Sequence, residues 1–157
     1  PVRFEKSLAG GLPLSIDYKG NDQIGVVTDK KSYILDSKGE VKSEYEYNGQ
    51  LVSFSNRSGH SIALLVNAVG DAEQVDMAVL GSDGTVKTGS DVGSSVTDVQ
   101  TDGTHYFVLA DNKLKIYDSS LKLIQSADTN VNAMRIACFG GDSYLLEAGA
   151  LQKIPVS

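Results

Sequence analysis

Four glycine-led turns recur along this chain at nearly constant spacing: Gly20-Asn-Asp-Gln-Ile24, Gly59-His-Ser-Ile62, Gly103-Thr-His-Tyr106 and Gly141-Asp-Ser-Tyr144. From Gly20 to Gly59 is 39 positions, from Gly59 to Gly103 is 44, and from Gly103 to Gly141 is 38. A second landmark closes a strand-like run in three of the units, as Tyr33-Ile-Leu-Asp-Ser-Lys-Gly39, Ala78-Val-Leu-Gly-Ser-Asp-Gly84 and Lys115-Ile-Tyr-Asp-Ser-Ser-Leu121. A period of roughly 40 residues built of short strands is that of a propeller blade, a four-stranded antiparallel sheet. The longer middle unit is explained by one extended loop, Asn67 to Gln74.

Within each period, runs rich in Val, Ile, Leu, Tyr and Phe are bounded by Gly, Asn, Asp and Ser, which reads as strand and turn with no helical stretch in competition. The expected strands are 12–18, 24–28, 32–36 and 41–47, then 51–55, 61–67, 75–80 and 85–90, then 96–101, 105–110, 114–118 and 121–127. The second strand of each unit is the most continuously apolar, as a strand covered on both faces should be. A fourth unit supplies three strands, 133–139, 144–147 and 151–156. Val2 to Leu8 alternates apolar and charged residues and reads as an orphan outer strand. The expectation is an all-β, propeller-like domain with blades at 12–47, 51–90, 96–127 and 133–156. The strand 2–8 is expected to complete the last blade, either within one chain or between two copies as a strand-exchanged homodimer. Closure of that kind removes an exposed sheet edge.

Composition excludes several partners. With 14 Lys and Arg against 20 Asp and Glu, the formal charge is −6. No basic stripe is present to displace counterions from phosphates, so nucleic acid is not expected as a partner, nor is an anionic lipid surface. The longest apolar run is too short to span a bilayer, so no direct membrane insertion of this segment is expected. Cys138 is the one cysteine, which rules out an internal disulfide.

The pattern resembles the WD-repeat and quinoprotein-like propellers, departing from a true WD repeat in having no Trp and a Gly-His landmark at Gly59-His60 alone. The stretch Val79-Leu-Gly-Ser-Asp-Gly-Thr-Val86, with Ser95-Val-Thr-Asp-Val99, His105-Tyr-Phe-Val-Leu-Ala110 and Leu114-Lys-Ile-Tyr-Asp118, is similar to the C-terminal part of a family of bacterial propeller proteins of unknown function. That resemblance implies an extracytoplasmic domain held by an N-terminal membrane anchor, cut from a longer propeller. It implies no catalytic residue.

Chemical groups are few. His60 and His105 occupy equivalent turns and could begin a metal site, but no further ligand follows at metal spacing, so turn capping is the plain reading and no metal is expected. Cys138 lies on an inner strand and reads as a core thiol. Tyr45 and Tyr47 alternate with Glu44 and Glu46, which puts both rings on one face of an outer strand. Asp71, Glu73 and Asp76 surround the longest loop without the spacing of a calcium site. No catalytic or cofactor motif is present, and no cofactor is expected. The leading expectation is a non-catalytic module binding a protein, peptide or carbohydrate where the loops after the second and fourth strands meet. Those loops offer Asp29, Lys30, Asn48, Asp71, Glu73, Asn112, Asn130 and Asn132. The alternative is a hydrolase, lyase or quinoprotein-type enzyme acting at the axis, for which Asp98, Arg135, His60 and His105 are the polar candidates. A third reading is a structural spacer.

Overall fold

The computed structural model describes residues 4–9, 11–70, 74–130 and 133–156, with backbone alone at Ser90 and Asp91. Among the described residues there are strands and turns and no helix. The first sheet comprises β1 (Pro13–Gly20), β2 (Gln23–Thr28), β3 (Lys31–Leu35) and β4 (Val41–Glu46). The second holds β5 (Gly49–Ser55), β6 (Ile62–Ala68), β7 (Val75–Leu80) and β8 (Val86–Gly93). The third holds β9 (Val96–Thr101), β10 (Tyr106–Ala110), β11 (Lys113–Tyr117) and β12 (Leu123–Asp128), and the fourth β13 (Arg135–Phe139), β14 (Asp142–Glu147) and β15 (Ala150–Pro155). Every sheet is an antiparallel meander in chain order, as the repeat required.

The repeated turns explain the repeated sequence. In the hairpin after β3, Asp36 Oδ1 accepts the amides of Lys38 and Glu40, both at 2.9 Å, and Gly39 takes φ 79°. In the third sheet Asp118 Oδ1 accepts the amides of Ser120 at 2.8 Å and Lys122 at 3.0 Å. There Leu121 occupies the glycine position at φ 63°, a conformation that costs a side chain free energy. Its packing against the core between the second and third sheets offsets that cost.

Sheets stack face to face through three apolar cores. Val27 and Ile34 of the first meet Ile62, Leu64 and Leu80 of the second. Leu65, Met77 and Val79 meet Val99 and Val108 of the third. Phe107, Leu109, Leu114 and Ile116 meet Ile136, Cys138, Leu145 and Ile154 of the fourth. β6 and β10 are buried along their apolar runs on both faces, and each such side chain contributes about 1.5–3 kcal/mol.

The expected closure of the last blade within one chain is not made. Residues 4–8 form no strand with β15, and the fourth sheet has three strands among the described residues. Phe4 instead lies against Gly39, and Leu8 packs on Val26, Tyr33 and Leu35 of the first sheet. The physical reason is local: the free face of the first sheet is apolar, and it is the nearest such face to Phe4 and Leu8. Val2, also assigned to that strand, lies outside the described residues.

Gly49 opens β5 at φ 150°, and a Cβ there would stand 1.8 Å from the Asn67 carbonyl oxygen. Gly59 at φ 74° has open space around it. Gly49→Ala is expected to lower stability in urea unfolding by about 2–4 kcal/mol, and Gly59→Ala by about 1 kcal/mol. Equal losses would mean that the β5–β6 approach is not tight.

Candidate functional site

One rim of the stack is formed by the hairpins joining second to third strands and by the links from each fourth strand to the next sheet. Between the first two sheets this rim opens into a groove of about 940 Å³. Asp29 and Lys30 from the β2–β3 hairpin, Tyr47 from the link to the second sheet, Gly49, Gln50 and Leu51 of β5, and Asn67 to Gly70 at the end of β6 and just past it line it, with Leu14 at its edge. That size falls in the range of small-ligand clefts.

The floor is fixed by hydrogen bonds. Tyr47 Oη donates to the Thr28 carbonyl at 3.0 Å and lies 2.6 Å from Ser32 Oγ. Burial pushes its phenol up to about 12, so the hydroxyl stays protonated. Thr28 Oγ1 accepts the amides of Lys30 at 3.2 Å and Lys31 at 3.0 Å, which sets the hairpin. Asp29 Oδ1 accepts the Leu12 amide at 2.7 Å, so this carboxylate positions the start of the first sheet as well as lining the groove. The Asn48 carbonyl accepts the Val69 amide at 3.3 Å, and its side chain is exposed beside the groove.

The predicted residues therefore divide. Asp29 and Lys30 line this groove and Asn48 borders it. Asn112 and Asn130 line a separate hollow of about 90 Å³ between the third and fourth sheets. There Asn130 Nδ2 donates to Glu147 Oε2 at 2.6 Å, and Asn112 takes φ 58° in the β10–β11 turn. Asp71, Glu73 and Asn132 lie outside the described residues. Sequence reasoning missed Gln50, Asn67 and Val69. The signal for them was the long loop itself, which begins at Asn67.

At the opposite rim, polar groups hold the sheets together. Lys19 Nζ donates to the Arg57 carbonyl at 2.8 Å, and burial lowers this amine to about 8, Asp17 opposing the shift. Arg57 Nη1 donates to the carbonyls of Thr101 at 3.0 Å and Cys138 at 3.3 Å, and lies 3.5 Å from Cys138 Sγ. Burial raises the Cys138 thiol to about 11, so it is an inert core group. Asn56 Nδ2 donates to Ser15 Oγ at 3.0 Å and the Gly25 carbonyl at 3.2 Å.

The residues weighed for catalysis do not assemble into an acid–base pair. Asp98 Oδ2 accepts the Ile136 amide at 2.9 Å and Oδ1 the Val99 amide at 3.0 Å, joining β9 to β13. Arg135 Nη1 donates to the Met134 carbonyl at 2.9 Å. His105 Nδ1 lies 3.3 Å from Asp102 Oδ2, and the turn is capped by Asp102, whose Oδ1 accepts the amides of Thr104 at 2.9 Å and His105 at 2.8 Å. His60 lies against Gly103; burial, then Arg57 and Lys19, lower its basicity. Among the described residues no cluster of three or more metal-ligating side chains occurs. Tyr45 and Tyr47 both pack on the core between the first two sheets, ring centroids 6.1 Å apart.

Radially stacked antiparallel meanders, three of four strands and one of three among the described residues, with their first strands innermost, define a β-propeller domain. The chain belongs to a family of unknown function, DUF5711, whose model matches residues 3–155. Solved structures with the same fold include a protein of unknown function from Bacteroides caccae, at 10% identity and TM-score 0.56 over 94% of this chain and 62% of that one. BamB from Moraxella catarrhalis matches at 14% identity and TM-score 0.58 over 91% and 41%. Hsv2 from Kluyveromyces lactis matches at 11% and 0.67 over 94% and 50%. The chain thus spans between 41% and 62% of the length of these propellers. No curated protein matches it. Among the described residues no helix is long and apolar enough to cross a membrane.

Asp98 yields a test of the stapling role. Burial raises its carboxyl above the ordinary 3.8, against the opposing pull of the Ile136 amide, Arg135 and the Val99 amide. The unfolded chain then releases this proton first, so the folded state loses stability as pH rises from about 3.8 through the raised value. Asp98→Asn keeps an acceptor for Ile136 and is expected to match or exceed wild-type stability at pH 7, with no gain at pH 3. Asp98→Ala should lose about 1–3 kcal/mol in denaturant unfolding at either pH. Indistinguishable Asn and Ala variants would refute the role.

Proposed function

We propose that this domain is a non-catalytic binding module whose groove between the first two sheets receives a polar protein segment, peptide or carbohydrate. The observation behind the reading is the groove itself, in which a fixed aromatic floor at Tyr47 is flanked by Asp29, Lys30, Gln50 and Asn67. Such a mixture suits hydrogen bonding to a polar chain lying over an apolar base. The polar groups at the other rim favour the same reading, because they are engaged in joining sheets. An amide shift map with panels of short peptides and oligosaccharides is the test. Perturbations are expected at Asp29–Lys30, Tyr47–Leu51 and Asn67–Gly70, and Lys30→Ala with Gln50→Ala should weaken any such ligand at least tenfold. Perturbations gathered around His60 and His105 would favour the enzyme reading instead.

The same proposal places the domain outside the cytoplasm, behind a membrane anchor. The resemblance to anchored bacterial propellers supports this location, and the −6 charge keeps the domain away from anionic lipid. Alkaline phosphatase fused after Ser157 of the protein expressed from its native gene is expected to be active; an inactive fusion that fluoresces with a cytoplasmic reporter would refute the location.

A further inference from the structure

In the first three sheets, the residue leading into the first strand faces the residue that follows the second strand. Asp29 donates its amide to the Leu12 carbonyl at 3.1 Å, Val69 to the Asn48 carbonyl at 3.3 Å, and Asp111 to the Ser95 carbonyl at 2.9 Å. Strand register makes the three pairs equivalent, since Pro13 faces Thr28, Gly49 faces Ala68 and Val96 faces Ala110.

In two of these pairs a carboxylate completes the contact. Asp29 Oδ1 accepts the Leu12 amide at 2.7 Å, and Asp111 Oδ1 accepts the amides of Ser95 at 2.9 Å and Ser94 at 3.1 Å. An ionised acceptor makes such hydrogen bonds stronger than neutral ones. Lys115 Nζ stands 3.3 Å from Asp111 Oδ2, so in the third sheet a cation backs the carboxylate. The second sheet has Val69 at this position, 77% exposed, and a valine side chain has no acceptor to offer. The Asn48 amide accordingly has no hydrogen-bond acceptor among the described residues.

That unmet amide borders the groove, which Val69 lines. Lys30 enters the groove from the facing hairpin, where its carbonyl accepts the Tyr47 amide at 3.1 Å and so holds it beside the link that carries Asn48. Its exposed ammonium makes no ion pair among the described residues. Asp29 stands on the same wall with its Oδ1 engaged by Leu12.

We propose that the groove takes an acidic polypeptide segment, an inference that rests on reading the groove as a binding site. An Asp or Glu carboxylate of the ligand occupies the place that Asp29 and Asp111 fill in their own sheets. It accepts the Asn48 amide beside Val69 and pairs with Lys30. The two filled positions specify the chemistry: each holds the carboxylate of an amino acid, presented by a polypeptide.

Amide shift titrations with two acetylated pentapeptides, identical except for Asp or Asn at the centre, read the outcome. The Asp peptide is expected to move the Asn48 amide proton downfield and to bind roughly tenfold more tightly than the Asn peptide. Val69→Asp supplies the carboxylate from within. It should move the Asn48 proton downfield without peptide and weaken the Asp peptide roughly tenfold. Because Val69 is exposed and the change copies the first and third sheets, circular dichroism should stay that of wild type. Lys30→Gln should weaken the Asp peptide about threefold. An Asn48 proton that ignores both the Asp peptide and Val69→Asp, in a groove that neutral peptides or oligosaccharides still perturb, would overturn the carboxylate assignment and leave the groove reading standing. Movement of that proton by an oligogalacturonate and not by the Asp peptide would overturn the choice of polypeptide. A groove silent to every probe would remove both readings.

Discussion

The whole architecture depends on sheets that are apolar on both faces. A meander with one wet face can end a stack, but β6 and β10 are buried to both sides, so the sheets carrying them are stable only between neighbours. Stacking antiparallel sheets radially meets that demand. The twist of each sheet fans its neighbours apart at the outer strands and brings the inner strands together. The interior of the stack therefore comes from side-chain patterning, and its curvature from backbone chirality.

A second layer of organisation is polar and gathers on the inner strands and the turns that follow them. Asp98, Asn56, Lys19 and Arg57 each spend hydrogen-bonding capacity on a main-chain group of another strand or sheet. Buried polar groups of this kind are tolerable because they are paired. These bonds engage Lys19 Nζ, Arg57 Nη1, Asn56 Nδ2 and both Asp98 carboxylate oxygens with main-chain groups, while the buried Asn56 Oδ1 has no partner.

Much of this was legible in the sequence, because strand and turn periodicity act locally. The glycine-led turns and the Asp-anchored hairpins at Asp36 and Asp118 mark where each sheet reverses, and the doubly buried second strands announce themselves by unbroken apolar runs. Strand ends fell within about three residues of expectation, the widest miss being the end of β8 at Gly93. The groove was legible only in outline. Asp29 and Lys30 could be assigned to the rim that carries the groove from topology, but Gln50 and Asn67 join them through a sheet-to-sheet juxtaposition that no single strand encodes. Asn130 lines a different hollow, where its partner Glu147 is one sheet away, for a similar reason. The sequence left open whether residues 4–8 close the last blade within one chain or between two, because an amphipathic run specifies a face to be covered and leaves open which face; in this chain they lie on the first sheet.

Arg57 has a consequence for how the molecule comes apart. Repetitive stacks ordinarily couple each unit to its immediate neighbours alone, so that fraying can proceed one unit at a time from an edge. This guanidinium leaves the second sheet, bonds a carbonyl of the third and reaches a carbonyl of the fourth. Peeling away the terminal unit therefore disturbs a residue two units distant, and melting gains a cooperativity that nearest-neighbour packing would not supply.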